Sequence, residues 1–470
     1  MRVMTLEPIG ILTILLGLAC LPLGQSATLI AFICITQLGA AAALLIGGAS
    51  IQPAHLFLAF ALATVIARQQ ETAAVKAVSF GQPGFWLLCL TAYGIVSAAL
   101  VPRLLAGSTQ IIPLGTSEYS NTGSTVPLGP VTSNFTQSVY MIADLVCFAM
   151  TVAIGATQAG FRTIVAGLLA FAAGNVFLAM LDIGTYATGT QGLLDFMRNA
   201  QYTMHFDAEV DGAKRIVGSY PEASAFARAT LGALAFTGTL WIFGRNVRLT
   251  GALAAASVGL VVLSTSSTGL AGIPFVLLIL YVSMLRRHGF HPGRPLSSAA
   301  VLCAPILLLV LILAVLLDDR ATEIARGFFD TIIFNKPSSQ SAIERSGWNS
   351  YALQNFVDSL GLGVGLGTIR TSSLPIALLA NVGIPGTIFY VLFLATTVFG
   401  RRSPPHTFEA DASIAARVAC LALVIGDTLA APNVEQGLVF YIFAGLACAS
   451  PRDQLVSIEL APSHGPGARA

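Results

Sequence analysis

Long apolar runs separated by polar connections are the dominant pattern of this chain. Runs of about 18 or more apolar residues, the length that a helix needs to cross a bilayer, recur through most of the sequence. An unclosed sheet would leave backbone groups without hydrogen bonds in lipid, so we expect helical spans. The pattern predicts thirteen spans, near 8–23, 28–49, 53–67, 84–106, 135–156, 161–183, 221–243, 247–264, 269–286, 297–317, 375–399, 412–429 and 433–450.

Composition supports the same class of protein. Of the 470 residues, 55% are hydrophobic and 10% are charged, whereas about a quarter are charged in soluble proteins. The sequence therefore predicts an all-α, polytopic integral membrane protein, a single domain over 1–470 with 12 or 13 spans. All seven cysteines lie in apolar runs and none forms a CxxC pair. We expect them to be small buried hydrophobes, not disulfides or metal ligands.

Orientation follows from the positive charges of the short connections. We assign the short basic connections to the cytoplasmic side, because Lys and Arg accumulate there. The outer side then receives the segments 107–134, 184–220, 264–269, 318–374 and 430–434. The tail 451–470 has three prolines and no periodicity, so we expect it to be cytoplasmic and disordered.

The large outer loop 318–374 contains a predicted helix with a chemically distinctive face. Ser341-Ala-Ile-Glu344 fits a capping box, and Gly361 can end the helix. Four polar or aromatic residues then recur at helical spacing, namely Arg345, Trp348, Asn349 and Asn355. Such a face suits a sugar that carries an anionic group. In the competing interpretation, Arg345 pairs with a nearby carboxylate and Trp348 anchors at the lipid interface.

A glycine run comes after this helix. Glycine occupies every second position from Gly361 through Gly363, Gly365 and Gly367, and Arg370 comes three residues later. The spacing is not that of a dinucleotide fingerprint. Alternate glycines permit close backbone approach and unusual dihedral angles, whereas a helix-packing surface would need them on one face. We expect a tight turn that presents backbone N–H groups and aims Arg370 at the membrane edge.

The second long outer loop, 184–220, ends in Arg215-Ile-Val-Gly-Ser-Tyr220-Pro221-Glu222 as the chain re-enters the membrane. Pro221 can begin the next helix, which places Glu222 in its first turn. Glu222 is therefore either a favourable helix-start residue or a carboxylate beside Arg215 that is available as a base.

Further ionisable groups lie within or next to the predicted spans. Burial in lipid is costly, so each should face a cavity or a partner. They are Arg103, Asp144, Asp182, Arg228, Asp427 and Glu435.

Taken in order, these motifs resemble the O-antigen ligase and Wzy-type polysaccharide polymerase family. Three stretches carry the resemblance, at 215–227, at 263–272, and at 344–367 with 378–390. The resemblance implies a glycosyltransferase that takes a glycan from a polyprenyl diphosphate carrier on the outer face of the bacterial cytoplasmic membrane. It also implies that arginines of the large outer loop hold the diphosphate. Family ligases carry a histidine beyond the glycine run, and 318–374 contains none, which favours a polymerase of repeat units.

The residues provide a physical basis for this chemistry. A departing diphosphate needs fixed positive charges in low-dielectric surroundings, and Arg215, Arg345 and Arg370 are the candidates. The acceptor hydroxyl must lose a proton as it attacks, for which Glu222 is our first choice as base and Glu344 the second. The candidates for substrate binding are Trp348, Asn349, Asn355, Gly363, Gly365, Gly367 and Tyr220.

This chemistry calls for no cofactor, and no acidic cluster suggests a required metal. The expected partners are a polyprenyl-diphosphate-linked oligosaccharide, the bilayer, a chain-length regulator and a flippase, and not nucleic acid. Three alternatives stay open. They are ligase-like transfer to a lipid or protein acceptor, a cell-wall glycosyltransferase, and a non-enzymatic flippase with inverted repeats and charged midplane residues.

Overall fold

The computed structural model describes residues 4–46, 49–119, 125–201, 204–206, 209–210, 213–288, 340–400 and 406–451, with isolated positions between 303 and 323. The protein is an all-α, multi-pass membrane protein. Within the described residues, seven helices are long and apolar enough to cross a membrane. They are α5 (Pro83–Leu104), α6 (Thr132–Ile154), α7 (Gln158–Ala187), α8 (Ala223–Ile242), α10 (Ser267–His288), α12 (Leu374–Phe399) and α13 (Phe408–Ala430).

Shorter helices and small hairpins complete the described fold. The shorter apolar helices are α1 (Pro8–Cys20), α2 (Gln25–Ile35), α3 (Pro53–Ala67), α9 (Val247–Leu263) and α14 (Leu438–Cys448). Two further helices, α4 (Glu71–Ala77) and α11 (Gln340–Asp358), are more polar, and Gln191–Met197 forms a 3₁₀ helix. Antiparallel pairing joins β1 (Met4–Leu6), β2 (Leu44–Ile46) and β3 (Ala49–Ile51), then β4 (Gln110–Ile111) with β5 (Val126–Pro127), and β6 (Glu209–Val210) with β7 (Ala213–Lys214).

Helix α8 lies at the centre of the core. Almost every residue along it is buried, and it packs against α13, α9 and α10. Small residues permit this close packing, since a Cβ added at Gly232 would lie 2.8 Å from a Leu423 methyl group. Because α8 begins directly after Glu222, the rigid core fixes the end of the polar segment that precedes it.

The outer segments assigned from charge lie together at one end of the helices. Leu114 N donates to Thr368 O at 3.1 Å, and Thr371 N donates to Pro432 O at 3.0 Å. At the opposite end, Arg245 and Arg287 both pair with Asp411. Each of these contacts joins connections that the charge pattern assigns to the same side, and the side itself stays a prediction.

Two predicted spans are wrong in extent. The predicted span 28–49 ends as a helix at Ile35, and the chain then runs irregularly into the β1–β3 sheet. Its backbone groups bond to other loops instead, as Ala40 N donates to Ser219 O at 3.0 Å. The span predicted at 433–450 is helical only over Leu438–Cys448. The predicted span 297–317, the part of the large loop that precedes α11 (318–339) and the tail 451–470 lie outside the described residues, apart from single positions.

Candidate anion-binding site

One buried carboxylate holds the segment 215–222 in place. Asp182 of α7 is fully buried. It accepts four contacts at 2.7–3.1 Å, from the side chains of Arg198 and Lys214 and from the backbone N–H groups of Val217 and Gly218. These contacts surround Arg215 in sequence, so Asp182 fixes the backbone that carries the Arg215 side chain.

Glu222 stands at the start of α8. It is the N-cap residue in an extended conformation, with φ −154° and ψ 162°, and the helix itself begins at Ala223. The prediction that places Glu222 in the first turn is wrong by one residue. The Ser224 hydroxyl donates to the Glu222 carboxylate, so the Glu222 side chain is held at the N-terminus of α8.

The glycine run packs against α12 backbone to backbone. Gly361, Gly363, Gly365 and Gly367 all have positive φ, between 75° and 101°, as the alternation predicts. A Cβ at Gly363 would lie 2.6 Å from Gly383 N. The α12 backbone forms a π-helical turn over Leu378–Val382, a device common at functional sites.

Hydrogen bonds join the two backbones. Val364 N donates to Ala380 O at 2.8 Å, and Gly365 N donates to Asn381 O at 2.9 Å. The Asn381 side chain then accepts from Ile369 N at 3.3 Å and donates to Ala377 O at 3.1 Å. Asn381 therefore positions the residue that immediately precedes Arg370.

Helix α11 docks onto the end of this loop through its asparagines. Asn349 Nδ2 donates to Ser372 Oγ at 3.0 Å, and Ser372 N donates to Asn349 Oδ1 at 2.9 Å. Asn355 is fully buried and donates to Thr109 Oγ1 and to Gln110 O. The helix is thus tied both to the Arg370 loop and to the β4 strand. It begins at Gln340, so Ser341 lies inside it and is not the N-cap that the sequence predicts.

These elements bring the four predicted catalytic residues to one place. Arg345 Nη2 lies 3.7 Å from Glu222 Oε1. The guanidinium carbon of Arg370 lies 4.2 Å from the centre of the Trp348 ring. The charges of Glu222 and Arg345 act on both Arg215 and Arg370, so the three arginines and Glu222 form one electrostatic cluster, which we call the arginine cluster.

Two of the three arginines have a hydrogen-bond donor that is unsatisfied within the described residues. The Nε atoms of Arg215 and Arg370 are buried and, within the described part of the chain, have no hydrogen-bond partner. Burial lowers the pKa of the Arg215 guanidinium; the charge of Glu222 opposes that shift, and the charge of Arg345 adds to it. The pKa of Arg370 is lowered by the same causes in the same order, and Glu344 also opposes the shift.

The cluster is therefore poised for an anion. Desolvation of a guanidinium is costly, and Glu222 stands among three arginines, so an added anion would compensate the remaining positive charge. Arginine donors bind phosphate oxygens in pairs. Arg345 already lies 3.7 Å from the Glu222 carboxylate. Arg215 and Arg370 are therefore the pair better placed to bind an added phosphate. The cluster joins residues that are 155 positions apart in sequence, as the interval from Arg215 to Arg370 shows.

Most residues predicted to bind a sugar have other contacts. Trp348 covers Arg370, Asn349 binds Ser372, and Asn355 faces a strand. The N–H groups of Gly363 and Gly365 donate to Ser359 Oγ and Asn381 O. These five residues therefore help to build the site, and their direct contact with a substrate stays a prediction.

Gly367 and Tyr220, the two other residues predicted to bind substrate, pack against neighbouring parts of the protein. Gly367 is buried, and an added Cβ would lie 2.6 Å from Ser133 O. The Tyr220 ring packs edge-on against Phe226, and its buried hydroxyl has no hydrogen-bond partner among the residues described. Burial raises the pKa of Tyr220, and the charge of Arg228 opposes the shift.

The competing interpretation of Arg345 also has support, because Arg345 does lie near a carboxylate. That carboxylate is Glu222 from another loop, so the contact forms the cluster instead of excluding it.

Sequence reasoning missed Asp182 as the residue that fixes 213–218, and it missed the α6 residues that hold the glycine run. Asn134 Nδ2 donates to Leu366 O at 2.8 Å and Ser133 Oγ to Gly367 O at 2.7 Å. A polar start to an otherwise apolar span was the available signal.

Comparisons with known proteins do not assign a family. No family model, no curated protein and no solved structure matches the chain. A functional assignment therefore depends on the geometry of the arginine cluster.

Proposed function

We propose that the protein is a membrane glycosyltransferase that polymerises polyprenyl-diphosphate-linked oligosaccharide repeat units into a surface polysaccharide. The observation that carries this proposal is the arginine cluster. There, two guanidiniums whose buried Nε atoms have no partner among the described residues stand beside a carboxylate at the end of a membrane helix. A lipid-linked diphosphate has the matching chemistry, because its headgroup is anionic and its chain is apolar. The order of motifs along the chain supports the same substrate class.

The proposed reaction assigns one task to each residue. Arg215 and Arg370 bind the diphosphate oxygens and stabilise the charge that develops as the sugar–phosphate bond breaks. The acceptor hydroxyl attacks the anomeric carbon, and the diphosphate leaves with the bonding electron pair. Glu222 takes the hydroxyl proton as general base. Arg345 holds Glu222 in place and adds positive charge on the same side. The three arginines supply the cationic stabilisation, so the proposal includes no metal.

The proposed setting is the outer face of a bacterial cytoplasmic membrane. There, a flippase delivers the lipid-linked unit and a chain-length regulator limits the product. Helix ends at this edge let the polyprenyl chain remain between spans while its headgroup enters the cluster. The lack of a histidine in 318–374 favours a polymerase over a ligase, which would transfer the finished glycan to a lipid or protein acceptor.

The test is chain lengthening in proteoliposomes. Lipid-linked oligosaccharide is extracted from cells that lack this protein, because the single repeat unit should accumulate in them. Wild-type protein should convert it into a ladder of longer products, whereas Arg370→Ala and Glu222→Gln should lose at least about 100-fold in rate, on the scale of lost general-base or charge stabilisation. The matched control is Arg103→Ala, an exposed arginine at the end of α5, which should act like wild type. A normal ladder from Arg370→Ala at normal protein level would rule out the assignment.

A lipid-linked oligosaccharide flippase is the second candidate, because the carboxylates of Asp144 and Asp427 lie buried between spans and the half-buried Arg228 pairs with Asp427. A flippase moves the lipid-linked unit across the bilayer without making a new glycosidic bond. Accessibility of the unit to an added glycosidase on each side of the proteoliposome separates the two functions. Transport without longer products would favour the flippase.

A further inference from the structure

A carboxylate inside the membrane domain has no role in the proposed reaction. Asp144 of α6 is fully buried, and neither of its oxygens has a hydrogen-bond partner among the described residues. An isolated ionised carboxylate in low-dielectric surroundings is so costly that such a group keeps its proton instead. Asp144 therefore needs either a proton or a compensating neighbour.

An acidic neighbour, Glu435, lies in the loop 431–437 between α13 and α14. Cys147 Sγ donates to Leu438 O at 3.7 Å, which places the first residue of α14, directly after that loop, against α6 one turn from Asp144. The charges of Asp144 and Glu435 interact. The Glu435 carboxylate accepts a hydrogen bond from Gly437 N in its own loop. Burial raises the pKa of Glu435 to about 7.

The cation that could compensate the pair is already engaged. Arg228 donates to both carboxylate oxygens of Asp427 and to Gln436 O. Gln436 also donates to Asp427 at 2.8 Å and accepts from the Tyr390 hydroxyl at 2.9 Å. The titratable groups around the pair are Cys147 on α6, Arg228 on α8, Tyr390 on α12, Asp427 on α13 and Tyr441 on α14. Tyr220 lies beside Arg228, and the His55 ring of α3 contacts Tyr140, one turn from Asp144, in a tilted arrangement.

The charges of this region do not balance if every acid is ionised. Ionised Asp144, Asp427 and Glu435 would carry three negative charges in this region, and Arg228 compensates one of them through its contact with Asp427. A proton held by Asp144 and Glu435, the two acids that the arginine does not bridge, halves the remaining negative charge. Glu435 is half-buried and Asp144 is not accessible, so exchange with the outer face would run through Glu435.

We propose that Asp144 and Glu435 share one proton and form a proton-binding site within the membrane domain. This site stands independently of the proposed function. A second consequence rests on the proposed function, because the same loop touches the arginine cluster. Thr371, next to Arg370, donates from its backbone to Pro432 O at 3.0 Å and from its hydroxyl to Ala431 O at 3.1 Å. Loss of the shared proton makes the two carboxylates repel, displaces the loop and shifts Arg370.

Infrared titration of the purified full chain in lipid nanodiscs tests the site without any assay of activity. The wild type should show the C=O stretch of one protonated carboxyl group at neutral pH, and this band should disappear as the pH is raised towards about 9, above the ordinary range of carboxyl groups. The Asp144→Asn, Glu435→Gln double variant should remove the titrating band, and each single variant should shift the pH at which the band disappears. Glu71→Gln, at an exposed position on α4, should leave it unchanged.

Two outcomes would overturn the proton site. One is a wild-type spectrum without a carboxyl band at neutral pH, a result that needs no variant to fold. The other is a band that persists in the Asp144→Asn, Glu435→Gln double variant. The coupling is tested by the pH profile of chain lengthening. Because Asp144→Asn cannot acquire a charge, its alkaline loss of activity should move up by about 1 pH unit or more, and an unchanged profile would overturn the coupling alone.

Discussion

Asp182→Asn is the substitution whose effect the structure defines most closely. The carboxylate is fully buried and contacts Arg198 at 2.7 Å and Lys214 at 2.9 Å. Both cations are almost fully buried as well, with 3% and 6% of their side chains exposed. Asparagine keeps the shape but removes the negative charge and replaces one acceptor oxygen by a donor.

The expected loss is large because two cations lose their counter-charge together. Removing one partner of a buried ion pair costs about 3–5 kcal/mol, and the backbone N–H groups of Val217 and Gly218 lose part of their acceptor. We therefore expect a loss of about 4 kcal/mol, a major share of the about 5–15 kcal/mol that stabilises a typical fold. Because Lys214 immediately precedes Arg215, the arginine cluster should also lose its order.

Equilibrium unfolding in mixed micelles, followed by tryptophan fluorescence, measures this free energy. The matched control is Asp195→Asn, an exposed carboxylate in the adjacent 3₁₀ helix, which should change the stability by no more than about 0.5 kcal/mol. Replacing Arg198 and Lys214 by Met in the Asp182→Asn background should recover most of the loss, since no buried charge is then left alone. A cost below about 1 kcal/mol for Asp182→Asn, or no recovery in the triple variant, would refute the reasoning.

Two other substitutions test the construction of the site. Gly363→Ala places a Cβ 2.6 Å from a backbone nitrogen at φ +77°, so we expect little folded protein. The control Gly347→Ala meets no atom within 4 Å and should be neutral or stabilising by about 0.5–1 kcal/mol. Purification yield and the free energy of unfolding distinguish the two variants. Trp348→Phe keeps an aromatic face for Arg370, so its kcat should stay within about tenfold of the wild-type value. Trp348→Leu removes a cation–π contact of about 1–2 kcal/mol, so its kcat should fall further, without a matching loss in the free energy of unfolding. Equal kcat values for the two Trp348 variants would show that the stacking on Arg370 has no role.

The sequence was sufficient for the residues of the cluster but not for their arrangement. Charged side chains are scarce in this chain, so Arg215, Glu222 and Arg370 stand out near the start of apolar runs, and Arg345 stands out on the predicted helix of the large loop. Their convergence depends on contacts between loops that are far apart in sequence. No local pattern reveals that Glu222 faces Arg345, since that contact exists only after α11 docks on the Arg370 loop.

Two interpretations show the same limit of a sequence pattern. Trp348, Asn349 and Asn355 do lie on one helix, as predicted, and they contact the protein's own groups, while their contact with a substrate stays a prediction. The run 28–49 is apolar enough for a span, yet its backbone is bonded to Ser219 and to a sheet. Hydropathy measures the environment of side chains and does not register such backbone pairing.

For the ionisable groups within spans, the sequence predicted the kind of environment but not the partner. Energetic cost alone predicts that each faces a partner or a cavity, and this is confirmed for Asp182 and for the Arg228–Asp427 pair. The identity of each partner required the structure, because the partners lie 16 and 199 positions away in the chain. Asp144 is the member of the set whose oxygens lack any hydrogen-bond partner within the described residues.

Direct binding of a short-chain polyprenyl diphosphate is the measurement closest to the central claim that Arg215 and Arg370 hold a diphosphate. Isothermal titration of the purified chain in nanodiscs should give tight binding of the diphosphate and much weaker binding of the matching polyprenol. Each charge-assisted hydrogen bond is worth about 1.5–3 kcal/mol, so the Arg215→Gln, Arg370→Gln double variant should bind at least about 100-fold more weakly. The exposed Arg103→Gln should bind like wild type. An affinity of the double variant within about threefold of wild type would contradict the account.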